Sequence, residues 1–151
     1  MRVSVIGGST VTDSQAETAE AVGRRLAERG HTVVCGGYGG AMEAVCRGAS
    51  DAGGHTIGIL SSDDPADANP HVDVPIATGL GHARNALVVM NGEAVVAVDG
   101  GNGTLSELGL AGVYDRPTAG LGTHEVDHVE HVADAAAAVH YVETAVDAGR
   151  E

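Results

Sequence analysis

The sequence predicts an α/β protein: a single doubly wound, Rossmann-like domain over residues 1–151, built on a mainly parallel sheet. Three observations carry that expectation. Short β-branched runs alternate with helix-length stretches along the whole chain. The strand-like runs are apolar at consecutive positions, as strands covered on both faces are. Three of them stop at a glycine pair, Gly7-Gly8, Gly36-Gly37 and Gly100-Gly101, where a parallel strand turns sharply into its crossover helix.

Taken in order, Arg2–Ile6 is the first strand. Ser14–Arg29 sets Ala16, Ala19, Val22 and Leu26 at helical spacing, with Ser14 and Glu17 spaced as a capping box and Gly30 as the stop. Thr32–Cys35 is a strand, Ala41–Ala52 a helix and Thr56–Leu60 a strand. Ser61–Pro70, rich in Asp and Pro, reads as a polar loop. Val74–Ala77 is a short strand, His82–Asn91 a helix, Ala94–Val98 a strand and Leu105–Tyr114 a helix. Short strands at Ala119–Leu121 and Val129–Val132 precede an alanine-rich helix from Asp134 to Ala148.

Charge narrows the function. Asp and Glu number 21 against 8 basic residues, all of them Arg, for a net charge of −13. A dense acidic surface is tolerated in concentrated salt, which screens its self-repulsion, so a halophilic source is expected. The same charge disfavours nucleic acid as a partner, since that needs a basic footprint. No apolar run has the length of a membrane span and no signal peptide precedes the first strand, so no membrane association and a cytoplasmic location are expected. With Phe and Trp absent, the core falls to Val, Leu, Ile and Ala. Cys35 and Cys46 read as buried free thiols.

In a doubly wound sheet, ligands gather at the carboxyl ends of the strands. The glycine pairs and Thr78-Gly79-Leu80-Gly81 fall at that edge, where missing Cβ atoms open backbone N–H groups to an anion. Gly103 and Thr104 stand at the start of a helix, and Ser9 and Thr10 offer hydroxyls near the first one, either to a phosphate or as helix caps. Thr104-Leu105-Ser106-Glu107 has two readings: a capping box, or a phosphate cradle with a carboxylate beside it. Asp99, next to the glycines, is awkward for an anion and suits sugar or base recognition, or no role at all. His124-Glu125-Val126-Asp127-His128 matches the H-E-x-x-H zinc string, with His131 nearby. That chemistry needs a helix, and the string follows an expected strand end, so a solvated loop and no metal are expected.

The segment "GGNGTLSE" resembles the PGGxGTxxE signature of the Lonely Guy (LOG) phosphoribohydrolases, of the lysine decarboxylase-like superfamily. "CGGYGGAMEAVCRGA" is similar to that superfamily's second glycine-rich segment, and "GHARNALVV" stands where those enzymes carry an Arg-Lys pair. Together the motifs span most of Arg2–Leu121, and the nearest branch resembles the molybdenum cofactor carrier proteins. The superfamily is also distantly similar to the DNA-processing protein Smf. The resemblance implies a homodimer whose glycine loops hold a nucleotide phosphate, and it maps the enzymes' motif Arg and Glu onto Arg84 and Glu107. Asn85 replaces their Lys, Asp99 their Pro, and Glu43 a usual Gly, which weakens the enzyme reading.

The expected function is therefore binding of a nucleotide or nucleotide-like phosphorylated cofactor, as a molybdenum cofactor carrier-like protein. The alternative is a LOG-type phosphoribohydrolase that releases the free base from a nucleoside 5'-monophosphate, with Arg84 and Glu107 catalytic. The expected ligand residues are Gly8, Ser9, Gly36, Gly37, Gly39, Gly40, Arg84, Asn85, Gly100, Gly101, Gly103, Thr104 and Glu107.

Overall fold

The computed structural model describes all 151 residues. Seven strands form one sheet: β1 (Arg2–Gly7), β2 (Thr32–Cys35), β3 (Thr56–Leu60), β4 (Val74–Ala77), β5 (Ala94–Val98), β6 (Thr118–Leu121) and β7 (Val129–His131). Their order is β4-β3-β2-β1-β5-β6-β7, and every pairing is parallel. The chain winds outward from β1 to β4, then returns to place β5 on the other side of β1. The order reverses between those two strands, so the crevice beyond their carboxyl ends is the place for a ligand.

Helices α1 (Asp13–Glu28), α2 (Ala41–Asp51) and α5 (Ala135–Gly149) cover one face, while α3 (Asn85–Met90) and α4 (Asn102–Val113) cover the other. Alternation along each strand feeds both layers. Val3 and Val5 of β1 with Val96 and Val98 of β5 pack under the three-helix layer. Ile6, Val95 and Ala97 pack under the two-helix layer. Pro75 lies in β4, at the sheet edge, where a missing N–H costs the ladder nothing.

α1 and α2 approach through glycine. A Cβ on Gly23 would meet the Val45 carbonyl at 2.0 Å, and one on Gly48 would meet the Glu20 carbonyl at 2.0 Å. The Cys35 and Cys46 thiols are both buried and free, with their sulfurs 3.5 Å apart. No helix is long and apolar enough to cross a membrane.

Several boundaries differ from the sequence reading. α1 is capped by Thr12, not Ser14: Thr12 Oγ1 accepts the Gln15 N–H at 3.2 Å, and Gln15 Oε1 accepts the Thr12 N–H at 2.8 Å. The S/T-x-x-Q box two residues earlier wins because both of its reciprocal bonds form. The expected helix His82–Asn91 divides into a 3-10 turn, Gly81–Arg84, and α3. α4 starts at Asn102, three residues before its expected first residue, Leu105. The last helix keeps its expected start, with Asp134 as its cap, accepting the Ala137 N–H at 2.9 Å.

Candidate functional site

The turns after β1, β2, β3 and β5 and the segment before α3 enclose a cavity of about 430 Å³ at the β1/β5 reversal. That is within the range of small-ligand pockets. Gly7, Gly8 and Ser9 contribute from the first turn, Tyr38 and Met42 from the second, and Ser61 from the third. His82 and Arg84 approach from the 3-10 turn before α3, and Asn85 from the first residue of α3. Gly101, Asn102, Gly103, Thr104 and Glu107 come from the start of α4.

Of the residues expected at the site, Gly8, Ser9, Arg84, Asn85, Gly101, Gly103, Thr104 and Glu107 meet on this cavity. Gly36, Gly37, Gly39, Gly40 and Gly100 do not line it; four of them lie in close packing around it. A Cβ on Gly40 would meet the Gly8 carbonyl at 2.3 Å, so the first two glycine turns lie in contact. One on Gly36 would meet Arg84 Nη2 at 2.6 Å, and Gly37 abuts Leu60 and Gly58. Gly100, at φ +114°, packs directly on the Thr104 side chain. These glycines permit close approach of backbone to backbone and to side chains.

The start of α4 is open. Gly101 is its N-cap and supplies no side-chain acceptor, so the first-turn amides have no cap. The Thr104–Glu107 capping box does not form, because Thr104 is already the third helical residue and is buried against Gly100. Gly103 has no atom within 4 Å of where its Cβ would be. Open amides and the positive end of the helix dipole together favour an anion.

Glu107 sits one turn further on and is only 8% exposed. Its carboxylate makes no hydrogen bond within the protein and opens onto the cavity. Burial pushes its pKa up to about 7, and the Arg84 charge holds it back from rising further. Arg84 is fixed from several sides. Its Nε donates to the Ile59 carbonyl at 2.9 Å, Nη2 to the Gly36 carbonyl at 3.4 Å, and Nη1 to Asn85 Oδ1. The guanidinium also lies 5.7 Å from the centre of the Tyr38 ring. Asn85, buried, donates to Ser106 Oγ at 3.1 Å, so it links the Arg84 segment to α4.

Tyr38, Met42, Ser61, His82 and Asn102 were not among the expected site residues. Tyr38 carried the clearest signal, as one of three aromatic residues in the chain and placed between two glycine pairs. Its hydroxyl lies 3.0 Å from Ser61 Oγ and accepts the Ser62 N–H at 3.0 Å, which pins the ring. Ser61 was hidden inside a stretch that reads simply as polar loop. Asp99 adopts φ +50° and donates its N–H to the Leu121 carbonyl.

The His124–His128 string forms no helix. Its histidine rings meet backbone carbonyls instead, His124 that of Gly101 at 3.0 Å and His128 that of Leu108 at 2.7 Å. The two histidines of a zinc helix share one face; these two are spent on separate stretches of backbone.

The SLOG cluster4 family model matches residues 1–148. The molybdenum cofactor binding protein from the phototrophic bacterium Rippkaea orientalis is similar at a TM-score of 0.90 and 30% identity, covering 96% of each chain. The molybdenum cofactor carrier protein from Chlamydomonas reinhardtii gives 0.87 and 32%, over 97% of this chain and 98% of that one. The cytokinin riboside 5'-monophosphate phosphoribohydrolase LOG of Oryza sativa subsp. japonica is 33% identical over 99 residues, 63% of this chain and 40% of the rice protein. The chain thus spans less than half the length of that enzyme. With a match from the first strand through the last helix, the chain belongs to the SLOG cluster4 family.

Proposed function

We propose that the protein binds a nucleotide or nucleotide-like phosphorylated cofactor in this cavity and carries it as cargo, the molybdenum cofactor being the first to test. One observation supports this most: an uncapped helix N-terminus faces the same cavity as a fixed guanidinium and a buried, unpartnered carboxyl group. The amides suit a phosphate, and Glu107 suits an N–H or O–H donor on the rest of the ligand. The similarity to two molybdenum cofactor proteins across the whole chain supports the carrier role. Mass spectrometry of protein purified without oxygen tests it. A phosphorylated pterin or nucleotide is expected to copurify; an empty protein that also ignores added AMP in calorimetry overturns the reading. Turnover is tested by incubation with AMP, where no free adenine and ribose 5-phosphate are expected.

We also propose a homodimer through the α3/α4 face. Met90, Leu105 and Val113 are exposed there, Val113 at 72%. Segments 81–92 and 100–114 contain one acidic residue, the buried Glu107, in a chain of net charge −13. Two such faces can meet without like-charge repulsion, which the rest of this surface would impose. Sedimentation of Val113→Asp is expected to show monomer where the parent protein shows dimer. A location in the cytoplasm fits the two free thiols. Adaptation to molar salt fits the acidic excess, and the melting temperature is expected to rise as KCl is raised from dilute to molar.

A further inference from the structure

The segment after β6 holds the turn between β5 and α4 from behind. Thr123 donates its hydroxyl to the Asp99 carbonyl at 2.8 Å, and His124 Nε2 lies 3.0 Å from the Gly101 carbonyl. Further on, His128 Nε2 lies 2.7 Å from the Leu108 carbonyl, and a Cβ on Gly112 would strike its ring at 2.8 Å. A carbonyl only accepts, so His124 and His128 each present Nε2–H. Two side chains of one short segment are thus committed to the turn that opens α4, and a third to the middle of that helix.

The two carbonyls nearest the cavity matter most. The Asp99 and Gly101 carbonyls belong to the peptide planes that carry the N–H groups of Gly100 and Asn102. In a planar trans peptide the C=O and N–H point in opposite directions. The Gly101 carbonyl also accepts the Leu105 N–H at 3.0 Å, so it is aimed down the helix. The Asn102 N–H is therefore aimed out of the helix end, and Asn102 lines the cavity. Beyond the Asp99 N–H bond to the Leu121 carbonyl and the packing of Gly100 on Thr104, no side chain of the turn itself holds it: Asp99 and Gly100 lie at φ +50° and +114°, and Gly101 brings no side chain. Glu107, a residue more than nine-tenths buried whose carboxyl makes no hydrogen bond within the protein and faces the same cavity, independently marks it as a place built for a ligand.

We infer that Thr123 and His124 are positioning residues for the anion loop, holding its amides in the orientation that receives the phosphate of the cargo. This rests on the anion-binding reading above and adds the residues that set its geometry without touching the ligand. It also gives the H-E-x-x-H string a use unrelated to zinc.

The test compares AMP, inorganic phosphate and adenosine by calorimetry on the parent protein, His124→Leu, His124→Gln and Thr123→Val. Loss of one such hydrogen bond is expected to weaken AMP and phosphate about five- to tenfold in His124→Leu and Thr123→Val. Adenosine affinity stays the same. His124→Gln, whose amide reaches the place of Nε2–H, restores most of the loss. Amide resonances of Gly101, Asn102 and Gly103 in the ligand-free protein move in His124→Leu and return toward their parent positions in His124→Gln. Equal AMP affinity in parent and both tether variants overturns the inference while leaving the binding site intact. So does an equal loss for AMP and adenosine, which marks a merely structural role. If the parent protein takes up neither AMP nor phosphate, the anion-binding reading itself fails and the positioning role falls with it.

Discussion

Helices α1 and α4 follow two adjacent strands of the sheet, the central β1 and its neighbour β5, yet their N-termini are finished in opposite ways. At α1, Thr12 and Gln15 exchange hydrogen bonds and satisfy the first turn from within. At α4 the cap is Gly101, no side chain intervenes, and the first-turn amides meet a cavity. A capped terminus is a structural joint. An uncapped one costs stability, and a helix start open on a cavity is one where a bound anion can contribute the missing acceptors. α5 is likewise capped by its own Asp134, while α2 starts at Gly40 and its first N–H, that of Ala41, donates to the Gly8 carbonyl at 2.9 Å.

The largest effect that would break this contrast comes from closing the α4 terminus. Gly103→Val puts a branched side chain into open space at the cavity wall. Calorimetry is expected to show AMP binding weakened by roughly a hundredfold, about 2.7 kcal/mol, with the melting temperature nearly unchanged. Affinity equal to that of the parent protein would place the phosphate elsewhere.

Next comes Glu107. Its carboxyl has a folded-state pKa of about 7 against an ordinary 4.5, so the folded protein holds that proton more tightly than the unfolded chain. This contribution to stability is complete below pH 4.5 and is lost as pH rises through 7. Glu107→Gln removes the dependence. The variant is expected to match the parent near pH 4 and exceed it by about 2–3 kcal/mol at pH 8 in urea unfolding. A parent curve without that decline, parallel to the variant's, would mean the carboxyl is better solvated than its burial implies.

The smallest effect belongs to the capped terminus. Thr12→Ala is expected to cost about 1 kcal/mol of stability and to leave AMP affinity alone. The pair sharpens the comparison: one helix start loses binding without stability, the other loses stability without binding. A change in AMP affinity on removing Thr12 would show that the two ends are coupled.

Much of the architecture was legible because it depends on local pattern. Consecutive Ala and Val at residues 94–98 read as a strand buried on both faces, and all five are buried. Glycine pairs after three strands pointed to the carboxyl edge where the cavity lies. Other features were hidden by the same local view. Thr104 and Glu107 have the spacing of a capping box, as Thr12 and Gln15 do, and only the second pair forms one. The difference is where each helix begins. Gly100 at φ +114° folds back on Thr104 and draws the Thr inside α4, which turns Glu107 toward the cavity.

The sequence by itself determined the alternation of strands and helices, the excess of acidic residues, the meeting of glycine turns at one edge of the sheet, and the choice of Arg84 and Glu107 as residues to look for there. Each follows from composition, residue spacing or a motif a few residues long. Tertiary structure alone decided which glycines face the cavity and which merely let chains touch, such as Gly23 and Gly48 where α1 crosses α2. It alone brought Tyr38 against Arg84, and it spent the histidines of the zinc-like string on the carbonyls of Gly101 and Leu108. These pairings join residues 20 or more positions apart. Their partners are chosen by how the layers pack, and no local pattern in the chain encodes that choice.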